Sequence, residues 1–182
     1  MVNCKLPRPA LFINVNKAEI IILAGGLGKR MKSELPKVLN TLNGIALIDY
    51  VLDAVEAGGV CDKPIVVVGK ARELVINHVG NRARFVVQEE QKGTGHAVLC
   101  AKEEAQKSGL PVIVLSGDMP FVTSDTIKNI LNEHINSKSL FTMATSIVSD
   151  YSGEESAFYD FGRIVRDADN NIVKIVEKKD AT

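Results

Sequence analysis

The chain is 182 residues long, 46% of them hydrophobic, with 22 Lys and Arg balanced by 22 Asp and Glu. That is enough sequence for one domain with a sizeable core, and the even charge excludes a global field drawing it to nucleic acid or an anionic membrane. No apolar run approaches the length of a membrane span.

Residues 1–17 show no clear element pattern in the sequence. Leu6-Pro-Arg-Pro9 breaks any helix, and Ala10 to Val15 is too short for the apolar core of a signal peptide. They are read as an N-terminal extension, a disordered tail or an upstream start in preference to a functional arm. Glu19 to Leu23 then predicts a strand buried on both faces, opening onto Gly25-Gly26-Leu27-Gly28. Ile45 to Ala57 places Leu47, Ile48, Val51, Leu52 and Val55 on one helical face, closed by Gly58-Gly59.

Pro64 to Val68 predicts a second buried strand, followed by a helix over Ala71 to Val79. Arg84 to Val87 is a third strand. Thr94 to Lys107 is a helix ending at Gly109, with Lys102, Glu103 and Glu104 as its exposed face. Pro111 to Leu115 is a fourth buried strand. Thr123 or Ser124 can cap a helix carrying Ile127, Ile130, Leu131 and Ile135. Leu140 to Val148 reads as a further strand. Gly162 to Arg166 and Ile172 to Val176 then alternate around a polar turn, as a hairpin does.

Repeated strand–helix units imply an α/β fold, a Rossmann-like three-layer αβα arrangement with a mostly parallel central sheet and a C-terminal β-hairpin. Ligands on such sheets sit beyond the carboxyl ends of the strands, where the polar motifs after Leu23, Val87 and Leu115 all fall. The hairpin runs to Thr182 with no closing helix, so a domain over 18–182 is expected to be truncated at its C-terminal end. Cys4, Cys61 and Cys100 are odd in number and far apart, and His78, His96 and His134 lack ligand spacing. A zinc site or disulfide framework is not expected, and a reducing cytoplasm is.

The loop after the first strand combines bare backbone with Lys29, Arg30, Lys32 and Lys37. Backbone N–H groups unobstructed by side chains suit phosphate, Arg30 offers a planar fork for its oxygens, and Lys37 a mobile point charge. Two phosphate loops are excluded. The dinucleotide fingerprint needs glycine where Met31 stands, and a Walker A loop needs Ser or Thr at Arg30 and glycine at Leu23. Taken singly, the other motifs have plainer readings. Asp118 suits a turn or cap, Thr94 a helix cap, His96 a packing or helix-start role, and Glu177 a solvated charge.

Together, Leu23-Ala-Gly-Gly-Leu-Gly-Lys-Arg-Met31 with Lys37, then "VVQEEQKGTGHAV", "LSGDMPF", "FGRIVRD" and "IVEKKDA", resemble the sugar-phosphate nucleotidyltransferase family. The match runs closest to the uridylyltransferase domains that act on N-acetylglucosamine 1-phosphate, and covers about residues 18–182. The resemblance implies transfer of a nucleotide from UTP to a sugar 1-phosphate, releasing pyrophosphate, as a step toward cell-wall precursors. By the same resemblance, backbone at Leu23, Ala24, Gly25 and Gly26 would line the nucleotide, with Gly28 completing the turn. Arg30 and Lys37 would be catalytic, gripping the phosphates. Gln88 would read the uracil edge with Gly93 and Thr94, and Ser116 and Gly117 would flank Asp118, the ligand of Mg2+. Gly162 and Glu177 would contact the sugar. An amide suits a pyrimidine edge because it both donates and accepts.

The sequence departs from the family at Ala24-Gly25-Gly26, usually Ala-Ala-Gly, and at Lys29, usually threonine, whose role stays open. The family's later asparagines for sugar and metal, and a hexapeptide-repeat acetyltransferase domain, would lie beyond Thr182. Acetyl transfer to glucosamine 1-phosphate is therefore not expected of this chain. Two other readings stay open: a nucleotidyltransferase for another sugar or polyol phosphate, and a non-catalytic nucleotide-sugar-binding protein. Oligomeric state is open as well, a homo-oligomer included.

Overall fold

The computed structural model describes residues 16–26, 28, 33 and 35–180. They form two compact units divided between Met143 and Ala144, both lying within the 18–182 span read above as one domain.

The larger unit is built on four parallel strands: β1 (Glu19–Ala24), β4 (Ile65–Val68), β5 (Arg84–Val87) and β6 (Val112–Ser116), in the order β5-β4-β1-β6. Between the first two in sequence lies a short hairpin of β2 (Thr41–Leu42) and β3 (Ile45–Ala46). The helices are α1 (Leu47–Gly58), α2 (Arg72–Val79), α3 (Thr94–Cys100), α4 (Lys102–Gln106) and α5 (Ser124–Ser137).

Alternation along the strands divides the core in two. Ile20, Ile22, Ala24, Val66 and Val68 pack with Ile48, Val51, Leu52 and Val55 of α1 and Ile127 and Leu131 of α5. Ile21, Ile65 and Val67 face the other way, onto Ala97, Ala101 and Ala105 of α3 and α4. Both faces are therefore covered, which is why β1 and β4 read as unbroken apolar runs. Each fully buried Ile, Leu or Val contributes about 1.5–3 kcal/mol. The small alanines of α3 and α4 let that layer lie close to the sheet. The crossover after β5 returns over β4 and β1 on this alanine face, opposite α1 and α5.

Several expectations need correction. Ile45 and Ala46 are strand, not helix: Asn43 and Gly44 take φ of 51° and 81°, the two-residue turn that Asn-Gly favours. Tyr50 of α1 donates from its hydroxyl to Leu42 O at 2.8 Å, fixing this hairpin to the helix. The single helix expected over Thr94–Lys107 is broken at Ala101, whose N–H bonds Val98 O and tightens the turn. Glu104 is not simply solvated. It accepts from Arg84 Nη1 at 3.0 Å, while Arg84 Nη2 donates to buried Glu19 at 2.5 Å and to Lys63 O at 3.0 Å. One guanidinium so ties the amino ends of β1 and β5 to the chain before β4 and to α4. Finally, Leu140 to Val148 forms no strand. Its β-branched residues find no pairing partner, and Ile147 is 97% exposed.

The smaller unit, from Ala144, holds a 3-10 stretch over Gly153–Asp160 and the hairpin of β7 (Arg163–Arg166) and β8 (Ile172–Val176). Asp167 accepts from the N–H groups of Asp169 and Asn171 and shapes the turn. The Arg163 guanidinium lies 5.1 and 5.2 Å from the ring centres of Tyr151 and Tyr159. Both sequence-predicted hairpin strands are found.

At the carboxyl end of β1 the backbones come unusually close. A Cβ at Gly69 would stand 2.7 Å from Gly25 O, and one at Gly117 3.0 Å from Leu23 O. Gly69→Ala is expected to cost about 1–3 kcal/mol through forced backbone shifts. Gly58→Ala, where a Cβ meets nothing closer than 3.9 Å, is expected to gain about 0.4–1 kcal/mol. Denaturant unfolding of both variants checks the contrast.

Candidate active site

The loops following β1, β5 and β6 border one cleft of about 360 Å³, lined by Leu23, Gly25, Gly26, Lys37, Gln88, Gln91, Gly93, Thr94, Ser116 and Asp118, with Val38 and Ala97. A second cleft of about 380 Å³ opens at the amino ends of the strands. There Lys17 pairs with Asp62 at 2.6 Å and Glu19 with Arg84 at 2.5 Å, so most of its lining charge is paired within the cleft. Chemistry on a sheet of this kind belongs at the carboxyl ends.

Lys37 begins a 3-10 turn, Lys37–Leu39, seated by buried Val38 and Leu39 and preceded by Pro36. Its N–H donates to Gly26 O at 3.1 Å, closing the loop back onto β1. Gly28 stands behind it at φ 62°, where a Cβ would come within 3.2 Å of Lys37 Cα, so only glycine is free of both strain and crowding there. The Lys37 ammonium pairs with Asp118 Oδ2 across the cleft. The other oxygen, Oδ1, accepts from Ser116 Oγ at 2.7 Å. Lys37 is the one cation lining the cleft among the described residues.

Gln88, 5% exposed, follows β5. Its Nε2 donates to Gly93 O at 3.1 Å and to His96 Nδ1 at 3.0 Å. Its Oε1 lies 3.1 Å from where a Cβ on Gly25 would be, so the bare glycine keeps that oxygen uncovered. Gln91 Nε2 donates to Gly25 O, joining the loop after β5 to the loop after β1.

Most of the residues singled out from sequence thus meet in one place: Leu23, Gly25, Gly26, Lys37, Gln88, Gly93, Thr94, Ser116 and Asp118. Ala24 is buried in the core. Gly117 lies beneath the cleft wall against Leu23 O and Val38. Arg30 and Lys29 lie outside the described residues. Gly162 and Glu177 belong to the smaller unit, where the Arg163–Val176 register sets them at the same end of the β7–β8 hairpin. Of the plainer alternatives, the turn holds for Asp118, which sits in the turn after β6 closed by Met119 N–H on Ser116 O, whereas the two helix caps fall to other residues. Thr123, not Asp118, caps α5, and Gly93, not Thr94, stands at the cap of α3. Two contributors went unread, Gln91 and Gly69. The only sequence signal for Gln91 was its place between Gln88 and Gly93, and for Gly69 its place directly after a buried strand.

Among the described residues no three His, Cys, Asp or Glu side chains cluster to hold a metal. Cys61 and Cys100 are free thiols, and burial pushes the Cys61 thiol up, keeping it protonated. No helix of the described residues is long and apolar enough to cross a membrane.

A parallel sheet whose strand ends set bare backbone, a lysine and a strand-end aspartate around one cleft is the layout of a nucleotidyltransferase. The chain belongs to the family of MobA-like NTP transferase domains, whose family model matches residues 20–154. It is 41% identical over 161 residues to the bifunctional protein GlmU of Streptococcus agalactiae, covering 88% of this chain and 33% of that one. Against the bifunctional protein GlmU of Thermoanaerobacter pseudethanolicus it is 43% identical over 162 residues, covering 89% and 34%. The chain therefore spans about a third of these relatives' length. Rv0371c from Mycobacterium tuberculosis shares the fold, with a TM-score of 0.57 at 21% identity over 64% of this chain and 60% of that one.

Burial pushes the Asp118 carboxyl up, but the bonds from Lys37 and Ser116 outweigh it and hold the group below its ordinary 3.8. A depressed folded value gives stability that is complete above the unfolded value and lost as pH falls through the folded one. Asp118→Asn is expected to lower the denaturation midpoint at neutral pH, with the gap from the parent chain closing below about pH 4. Urea titrations across that range measure it.

Proposed function

We propose that this chain transfers a uridylyl group from UTP to N-acetylglucosamine 1-phosphate, giving UDP-N-acetylglucosamine and pyrophosphate. One observation carries the reading. Lys37 and Asp118 face each other across the same cleft that holds the bare Gly25-Gly26 backbone and the Gln88 amide. A phosphate binder, a metal ligand and a base reader are then together where one nucleoside triphosphate can meet all three. The likeness to two GlmU proteins supports the choice of substrates.

The reacting partners are both anions, so the protein's main task is to gather positive charge and align them. The N–H groups of the glycine loop would accept the triphosphate without side-chain obstruction. Lys37, anchored through its own N–H to Gly26 O, would bring its ammonium to the phosphates near the reacting phosphorus. Arg30 would grip the β- and γ-phosphates and stabilise the departing pyrophosphate. Gln88 would read the uracil edge, and Gly162 and Glu177 would contact the sugar.

Asp118 fits magnesium. It is a single oxygen donor held ionised at a strand end, and magnesium needs only one or two carboxylates because phosphate oxygens and waters complete its shell. When bound there, magnesium supplies positive charge shared between the two phosphates and polarises the one under attack. Asp118 would hold the ion, and Lys37, now on the Asp118 carboxylate, would serve the nucleotide phosphates with its ammonium.

The test is pyrophosphate release from UTP, N-acetylglucosamine 1-phosphate and magnesium. Asp118→Ala is expected to reduce turnover to background, and Lys37→Ala to lower it by about 10²–10³-fold, each with the fold retained by circular dichroism. UTP binding with no pyrophosphate released would make the chain a binding protein. Higher turnover with CTP, or with another sugar or polyol phosphate, would move it to another branch of the family.

A further inference from the structure

We infer that His96 is a positioning residue that sets the base preference of the cleft by fixing which way the Gln88 amide faces. The inference rests on Gln88 reading the base, as proposed above.

A primary amide has two N–H donors and one carbonyl acceptor. In Gln88 both donors are committed. One goes to Gly93 O at 3.1 Å and the other to His96 Nδ1 at 3.0 Å. Gly93 O can only accept, so the nitrogen of the amide, not its oxygen, must sit at that end. His96 Nδ1 must then accept too, which places the neutral ring's proton on Nε2. The Cys100 thiol lies 3.9 Å from the same Nδ1, at the outer limit of a sulfur contact, on the next turn of α3. What remains of Gln88 is Oε1. No hydrogen bond reaches it among the described residues, and it stands beside bare Gly25.

Gln88 is therefore presented to a ligand as an acceptor alone. Uracil carries a hydrogen on ring N3, whereas cytosine has a lone pair there. An acceptor aimed at N3 selects the first and repels the second. Without the His96 acceptor only the single bond to Gly93 O holds that orientation, one N–H of Gln88 is left unmatched, and the turned amide that offers a donor to cytosine becomes accessible. His96 so acts through Gln88 and needs no contact with the nucleotide. Asparagine at this position can put its Oδ1 where Nδ1 stands and keep the acceptor.

Equilibrium binding of UTP and CTP, each with magnesium, tests this in the parent chain, His96→Ala, His96→Asn and Gln88→Ala. The parent is expected to favour UTP. His96→Ala should reduce the UTP-to-CTP affinity ratio by about tenfold, whereas His96→Asn should keep it, and Gln88→Ala should abolish it. A merely structural loss would weaken both nucleotides equally and leave the ratio intact. A ratio unchanged in His96→Ala, or lost equally in His96→Asn, overturns the role of His96 while Gln88→Ala still reports base reading. A ratio unchanged in Gln88→Ala, or no preference in the parent, withdraws base reading itself and this inference with it.

Discussion

Three strand ends can share one cleft here because two glycines flank the end of β1. On one side Gly69 lets the chain after β4 pass against Gly25, and on the other Gly117 lets the chain after β6 lie on Leu23 O. A methyl group at either place would lie at or inside van der Waals contact with a carbonyl oxygen and drive the loops apart. The site begins as a steric condition on backbone, before any charge or catalytic group enters. Gln91 then adds a hydrogen bond from the loop after β5 to Gly25 O, so the glycine loop is held from both neighbours.

Within that frame the electrostatics are local. The chain has no net formal charge, and the cleft does not borrow a field from the rest of the molecule. Lys37 and Asp118 compensate each other, with Ser116 completing the carboxylate. An ion pair that is partly open to water is weakly stabilising, and this makes it suitable for exchange: each member can leave its partner for a ligand of matching charge at small cost. Gln88 is the opposite case. It is buried and its donors are fixed, so it presents one unchanging surface.

Much of this was legible in the sequence, for identifiable reasons. β1, β4, β5 and β6 are short, and the two inner ones are apolar on both faces, a pattern that needs no tertiary context. α1 and α5 carry their buried residues at helical spacing, and the Gly59 and Thr123 caps mark an end and a start. The convergence of the Leu23, Gln88 and Ser116–Asp118 loops follows from strand direction alone. What escaped depended on contacts distant in sequence. Gln91 is an ordinary loop residue until it meets Gly25. Glu104 reads as a solvated helix charge until Arg84 reaches it. Asn43-Gly44 carried a turn signal, but the apolar rhythm of α1 extended through Ile45 and Ala46 and masked it. In Leu140–Val148 the composition favoured a strand, but a strand also needs a neighbour to pair with.

The Arg84 clamp gives the larger unit a direction. At the amino ends of the strands one guanidinium binds Glu19, Glu104 and the Lys63 carbonyl, while at the carboxyl ends the loops are joined by the exchangeable Lys37–Asp118 pair, single hydrogen bonds and close backbone packing. Local opening free energy follows the density of such ties, and the pair at the rim can exchange without breaking the clamp. Loop rearrangement at the rim thus leaves the Arg84 contacts at the opposite ends of the strands untouched.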